Sequence, residues 1–383
     1  MPPGKPGYQD QFLTPMDLFF EVSRGQPYLL PLEEQKQVGL DPETWFLEIT
    51  PDVDPWISEI GQSRLRESGT AISYEMLLEL GDEKAVRYFK AMQCNNDRPT
   101  GGSCSNALWE GVPLKAVLER FVGSLADVRR VFYWGFHKEE KHYFASSLPI
   151  NRVLDTPPGQ LPVFLAYKMN GRTIPVERGG PVRMIVPEAY GFKSIKWLQQ
   201  MVLTNNYQAN DSYALRNNDP DSYMKTVARI NVHGPREFEK GSSIRLNGIA
   251  MVGMSGLKKI EYWLRPDQGT HGHLEPDDPA WEKASWTELS YDSPPKNNWG
   301  SDLPGGKLPD GIEQIRDGSG GPVIWPIPYS WVLWNLILPD QEPGTYEFYV
   351  RAVDANGNAQ PQPRPNRQSG YADIASVQVT VKP

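Results

Sequence analysis

Cys94 lies in MQCNNDRPTGGSCSNALWEGVPL (92–114), where a lone thiol precedes a polar, glycine-rich loop and then an aromatic and aliphatic anchor. A thiol in that setting can act as a soft metal ligand. The other cysteine is Cys104, and the two form no CxxC, no zinc spacing and no CxxCH for covalent haem. They could close one small loop, and the plain alternative is a pair of reduced, buried thiols. A second concentration of chemistry runs from Leu165 to Leu198, LAYKMNGRTIPVERGGPVRMIVPEAYGFKSIKWL. From Lys168 to Lys196 it carries six basic residues, Lys168, Arg172, Arg178, Arg183, Lys193 and Lys196, against two acidic ones, Glu177 and Glu188. That excess suits a phosphate or other oxyanion, because arginine forks grip such groups bidentately and glycine turns offer backbone N–H donors. Solvated strand ends would give the same composition, so both readings stand at this point.

The five histidines add little. His137 and His142 flank the charged turn HKEEKH, where a solvated turn is expected, and His271 and His273 form an isolated H-G-H. None stands in a motif that would activate Cys94 as a peptidase nucleophile. The fragments VERGG and DGSGG lack the spacing of nucleotide-binding glycine loops.

The elements that must hold these residues are short, because 36 prolines and 34 glycines punctuate the chain. WFLEI (45–49) reads as a strand, ISYEMLLEL (72–80) as a helix, and VRYFKAMQC as a strand leading straight into the cysteine loop. LKAVLERFV (114–122) has helical spacing behind Pro113, which suits a first-turn proline, and RRVFYWGF with HYFASSLPI reads as a hairpin. VFLAYKMNG and PVRMIVP read as strands around a tight VERGG turn. Beyond about residue 225 the pattern becomes all-β: RINVHGP, SSIRLNGIAMVGM, KKIEYWLRP, YSWVLWNLIL, GTYEFYVRAVDANGNAQ and IASVQVTVKP, with DANGN as a hairpin turn. A Pro/Gly/Asp-rich excursion at about 265–328 is too long for an ordinary loop, so it either serves function or wraps a partner.

A chain of 383 residues fits two domains, and its net charge of −8 argues against a nucleic-acid binder. No apolar run is long enough to span a bilayer, and MPPGKPGYQD lacks the features of a secretory leader, so a soluble chain is expected.

Taken in order, the cysteine loop with ALWEGVPLKAVLE, the run from Leu165 to Leu198, RINV, and then NGIAMVG, KKIEYW and YVRAVDANGNAQ resemble the sulfite oxidase family of molybdopterin enzymes. The resemblance covers most of the chain. It implies an α+β molybdopterin-binding catalytic domain, residues 1–226, followed by an all-β immunoglobulin-like sandwich, residues 227–383, through which relatives commonly dimerise. It implies that Cys94 binds the molybdenum, that Arg178 stands where many relatives have a pterin-contacting histidine, and that Arg183 contacts the cofactor. Lys193, Ser194 and Lys196 fall in the segment that meets the pterin phosphate, while Cys104 matches no ligand and is expected to pack nearby.

Three departures put the substrate pocket in question. Sulfite oxidases present Arg-Asn-His near the N-terminal aromatic pair; here Phe19-Phe20 is followed by Glu21-Val22-Ser23-Arg24, leaving Arg24 for an anion-facing or cofactor role. Consecutive arginines follow their metal cysteine, whereas Asn95-Asn96-Asp97-Arg98-Pro99 supplies only Arg98. Their active-site tyrosine falls here near Arg216 and Asn217, with Tyr207 and Tyr213 as imperfect substitutes. Losing two partners of a dianion costs several kcal/mol of binding, so the cofactor site is expected to be kept and the sulfite site altered.

The expected function is oxygen-atom transfer on sulfite or a related small sulfur or oxyanion substrate, with electrons leaving to an external carrier such as a c-type cytochrome. The family favours export, with a cytoplasmic location left open, and implies a homodimer. The alternatives are a same-fold enzyme for a sulfane sulfur or a sulfoxide, and a non-catalytic binding protein whose 265–328 loop recruits a partner.

Overall fold

The computed structural model describes residues 11–20, 27–53, 58–98, 102–137, 144–211, 214–215, 219–231, 236–270, 274–275, 277–316, 321–361 and 370–383. In the first half the elements run α1 (Leu32–Gln37), β1 (Phe46–Pro51), β2 (Ile72–Ser73), α2 (Tyr74–Lys84), β3 (Val86–Gln93), β4 (Cys104–Pro113), α3 (Leu114–Phe121), β5 (Arg130–Gly135) and β6 (Ser146–Pro149). They continue with α4 (Ile150–Leu154), β7 (Phe164–Met169), β8 (Arg172–Thr173), β9 (Arg183–Ile185) and β10 (Leu198–Thr204).

Local chemistry sets the helix ends. Ser73 caps α2 by accepting from Met76 N at 3.2 Å, so the expected helix at 72–80 begins two residues later, and Ile72 is left to pair with β1. Pro113 precedes α3 as its cap residue rather than entering the first turn, and one face of that helix buries Leu114, Val117, Leu118 and Phe121.

Two sheets organise this half. One has the order β2-β1-β10-β5-β6, with β1 and β10 parallel and β10, β5 and β6 antiparallel. The other has the order β3-β4-β7-β8, with β9 also paired to β7. Strand β4 has a ladder on each side and is buried from Cys104 to Val112. A core drawn from residues between Trp45 and Leu203 lies among these sheets and α2 and α3.

The second half is a β-sandwich of β11 (Val227–Ile230), β12 (Glu237–Glu239), β13 (Ile244–Met251), β14 (Lys259–Pro266), β15 (Thr287–Leu289), β16 (Trp331–Leu338), β17 (Gly344–Val353) and β18 (Ala375–Lys382). A three-stranded sheet, β11-β13-β16, presents Ile244, Val332 and Trp334 to Ile260, Phe348 and Val377 of a five-stranded sheet, β12-β18-β17-β14-β15. The DANGN turn forms, with Asp354 Oδ1 accepting from Asn356 N and Asn358 N, but it folds back only as far as Ala359. Strand β18 starts sixteen residues further on, at Ala375, so DANGN is not the hairpin between β17 and β18.

The excursion between β14 and β16 packs on its own chain. Its Trp299, Leu303, Ile312 and Ile327 share a core with Phe12, Phe89 and Leu108 from the first half and with Ile249 and Met251 of β13. Gln314 Oε1 accepts from Phe89 N at 2.7 Å, which fastens the excursion to β3.

Candidate active site

Strand β3 leaves its sheet at Gln93, and a tied loop follows. Cys94 N donates to Ser103 O (2.9 Å), Asp97 N to Cys94 O (3.0 Å) and Ser103 N to Asp97 Oδ1 (3.0 Å). Cys94 is half-buried and in no disulfide; Cys104 is buried in the core beside Phe89 and Leu108. Cys94 lines a cleft of about 1060 Å³, counting its open mouth.

The basic segment forms the facing lining. Residues Val176–Arg178 make a 3-10 turn that ends at Gly179 with φ +92°, a left-handed backbone natural to glycine. A Cβ there would stand 2.3 Å from Lys196 Cγ, so the lysine stem lies directly on this glycine. Arg178 donates from Nε to Met16 O (2.7 Å) and from Nη2 to Asp17 O (3.0 Å), which holds the chain just ahead of Phe19 and Phe20. Arg183, on β9, is 5% exposed; its Nη1 donates to Arg178 O and its Nη2 to Ser194 O, both at 2.9 Å. Its guanidinium lies 5.0 Å from the Trp109 ring centre. Ser194 Oγ accepts from Val186 N at 3.1 Å, and Lys196 Nζ stands 4.6 Å from the Trp197 ring centre.

Cys94, Arg178, Arg183, Ser194 and Lys196, far apart in sequence, therefore line one cleft. Lys193 does not line it. The Gly191–Lys193 turn sends Phe192 to the cleft and Lys193 inward, where Nζ donates to Asp211 Oδ2 (3.0 Å) and Ser147 O (2.9 Å) with no exposure of either charged side chain. A buried ammonium needs a carboxylate, and Asp211 supplies one; burial lowers the Lys193 pKa and Asp211 partly opposes that. Arg98 is exposed over the Tyr371 ring at 5.5 Å and is not among the cleft residues. Tyr207 is 71% exposed and also lies elsewhere. Arg24, His142, Tyr213, Arg216, Asn217, His271 and His273 lie outside the described residues.

The cleft also contains groups that spacing did not mark. His137 lines it and accepts at Nε2 from Phe144 N (3.3 Å), so the residue assigned to a solvated turn faces the site. Phe19, Phe20, Phe144, Phe192 and Trp197 supply aromatic lining. Gln93, 1% exposed, lines the cleft with a buried Oε1 that has no hydrogen-bond partner among the described residues. Near Arg183 lies Lys90, wholly buried, its Nζ donating to Ala91 O (2.5 Å) and facing Met224 Sδ (3.2 Å). Burial pulls the Lys90 pKa from 10.5 to about 7, with Glu188 opposing and Arg183 adding to the shift.

Residues 36–212 match the family model for an oxidoreductase molybdopterin binding domain, the segment that contributes most of the cleft. Sulfite oxidase, mitochondrial, of Drosophila melanogaster is 26% identical over 363 residues, covering 92% of this chain and 56% of that protein. The NADPH nitrate reductase of Aspergillus niger is 27% identical over 401 residues, covering 94% of this chain and 40% of that protein. Thus the chain spans between two fifths and three fifths of the length of these two relatives. The solved sulfane dehydrogenase SoxCD of Paracoccus pantotrophus superposes with a TM-score of 0.60 at 16% identity, over 95% of this chain and 96% of that one, which shows a shared fold. The matched segment is an oxidoreductase molybdopterin binding domain. Over that segment the chain is similar to a sulfite oxidase and a nitrate reductase.

The residues present fit the family's molybdenum-molybdopterin cofactor. A thiol suits a thiophilic metal, Arg and Lys with a serine hydroxyl suit a phosphate, and aromatic walls suit a planar ring. The Gln93 oxygen is a buried acceptor, which a ring N–H would satisfy.

Proposed function

We propose that this protein is a molybdenum-cofactor oxidoreductase that transfers an oxygen atom on sulfite or a related small sulfur or oxyanion substrate and passes electrons to an external carrier. The observation that carries the reading is the meeting of Cys94 with Arg178, Arg183, Ser194 and Lys196 on one cleft. Two relatives named for enzymes of small oxyanions, sulfite and nitrate, support the substrate class.

In this reading Cys94 holds the metal as a thiolate, and coordination keeps the sulfur deprotonated. Arg178, Arg183, Ser194 and Lys196 hold the anionic arm of the cofactor, and Gln93 Oε1 accepts from its ring. Phe19, Phe20, Phe144 and Phe192 keep water from the reacting face, which strengthens each charge interaction inside. His137 adds an imidazole to the cleft lining. When bound, the cofactor supplies the two-electron oxygen-transfer chemistry. In this reading the electrons pass to an external carrier, such as a c-type cytochrome. We place the domain boundary at 226/227, with the sandwich as the dimerising half.

One observation favours a second substrate class. On the Cys94 side the described lining residues Gln93, Asn95, Asn96 and Ser103 are neutral, which suits a sulfoxide or a carried sulfane sulfur better than a dianion. The test is expression in a cofactor-sufficient host, with molybdenum measured on purified protein and on Cys94→Ser. Near-stoichiometric metal in the wild type and its loss in the variant are expected, and metal-free wild type would sink the proposal. Sulfite-dependent cytochrome c reduction then selects the first substrate class; its absence alongside turnover of a sulfoxide selects the second.

A further inference from the structure

Strand β11, the first of the sandwich, sends one side chain into the loop that carries Cys94. Arg229 is 3% exposed in its side chain. Its Nη1 donates to Arg98 O, its Nη2 donates to Asp97 O (3.2 Å), and the same nitrogen lies 3.2 Å from Asp97 Oδ2. Asp97, 1% exposed in its side chain, accepts at Oδ1 from Ser103 N (3.0 Å), and Ser103 O accepts from Cys94 N (2.9 Å). A continuous run of polar contacts thus links Arg229, Asp97, Ser103 and Cys94. A second contact from the same half, Gly370 N to Asn95 O (3.2 Å), reaches the residue beside the thiol.

The direction of these contacts separates positioning from strand stability. Arg229 pairs with Ile249 through its backbone, and the neighbours Ala228 and Ile230 supply the apolar packing of β11. Every guanidinium hydrogen bond described for Arg229 goes to the cysteine loop. That loop is polar and glycine-rich, so it has little apolar surface with which to fix itself. A metal-holding thiol must be placed to within about 0.5 Å, which a loop achieves only when supporting contacts lock it.

We propose that Arg229 is a positioning residue for Cys94, acting through Asp97, so that the β-sandwich sets the geometry of the thiol loop in the first domain. The role as a cofactor-site device rests on the proposed function; the structural link can be tested without it.

The test uses cofactor-free full-length protein and follows iodoacetamide alkylation of Cys94 and Cys104 separately by peptide mass spectrometry. The double variant Arg229→Met/Asp97→Asn removes the link without stranding a buried charge. Cys94 should alkylate faster by on the order of tenfold or more, since several charge-assisted bonds hold the loop closed. Cys104, buried in the core, should keep its wild-type rate. Arg229→Lys, which keeps the charge but not the fork, should fall between wild type and double variant and serves as the test if the double variant does not fold. An unchanged Cys94 rate overturns the proposal, and so does an equal rise at both cysteines, which would mean a loosened fold. Molybdenum content of the wild type decides the proposed function independently, so the two ideas can fail separately.

Discussion

Lys193→Met separates a structural lysine from a cofactor-binding one. Both Lys193 and Asp211 have fully buried side chains, 3.0 Å apart, and Lys193 also donates to Ser147 O at 2.9 Å. Methionine keeps the apolar stem, so the packing cost is small and the main effect is a carboxylate stripped of its cation. Breaking a buried pair from one side costs about 3–5 kcal/mol. Asp211 keeps two donors, the Ser147 hydroxyl at 2.8 Å and Ala214 N at 3.0 Å, which places the cost near the lower end, about 3 kcal/mol. At roughly 2–4 °C per kcal/mol for a unit of this size, the melting temperature should fall by about 6–12 °C.

Thermal denaturation of cofactor-free protein, followed by circular dichroism, measures this directly. Lys193→Met/Asp211→Leu, which removes both charges, should regain most of the loss. A phosphate-binding lysine would behave in the opposite way: the cofactor-free melt would stay near wild type while metal retention fell. Melting within about 1 °C of wild type would refute the reasoning from the buried pair.

Other perturbations probe the surroundings of the cleft. Because the Lys90 pKa is about 7 in the folded chain against 10.5 ordinarily, the unfolded chain binds more protons between those values. Its contribution to stability therefore rises with pH across that window, and the full penalty is present below about pH 7. Lys90→Met should raise the urea midpoint at pH 6 and narrow its gap to wild type by pH 9; a gap that is independent of pH would refute this. Gly179→Ala forces a left-handed alanine against the Lys196 stem and should cost about 1–3 kcal/mol, with reduced molybdenum retention. A wild-type midpoint in that variant would mean that Lys196 moves aside freely.

Much of the architecture was legible because periodicity and punctuation agree. VRYFKAMQC leading into a loop, the helix after Pro113 and the strands beyond residue 225 all follow local rules that the packed structure keeps. DANGN misleads because a turn signal fixes a reversal of the chain but not which strand receives it. The excursion at 265–328 read as serving function or wrapping a partner, and its Trp299, Leu303, Ile312 and Ile327 are buried on the same chain. At the site, residue type marked Cys94, Arg178, Arg183 and Lys196, and the family resemblance added Ser194, but neither gave direction. Lys193 and Lys196 are three apart in one basic run, and only the turn at Gly191–Lys193 decides that one meets Asp211 and the other the cleft. His137 was hidden by its charged neighbours, and Gln93 by its place inside a strand that gives no chemical signal.

The placement of charge bears on the substrate. Arg178 and Arg183 are engaged with backbone carbonyls of the segments that form the cleft wall, and Lys196 lies along Gly179 and Trp197. On the proposed reading these cations also meet the anionic arm of the cofactor, which cancels much of their field. Arg98, the cation expected beside the thiol, is exposed over Tyr371. Among the described residues this leaves His137 and the neutral side chains of Gln93, Asn95, Asn96 and Ser103 as the polar groups on the thiol side. A dianion entering there would lose its hydration without matching positive partners, at a cost of several kcal/mol. A neutral or singly charged substrate would lose less and still find amide and hydroxyl partners. On the second substrate reading, the same cleft keeps its metal chemistry while favouring such a substrate over sulfite, and the loop after Cys94 carries that difference.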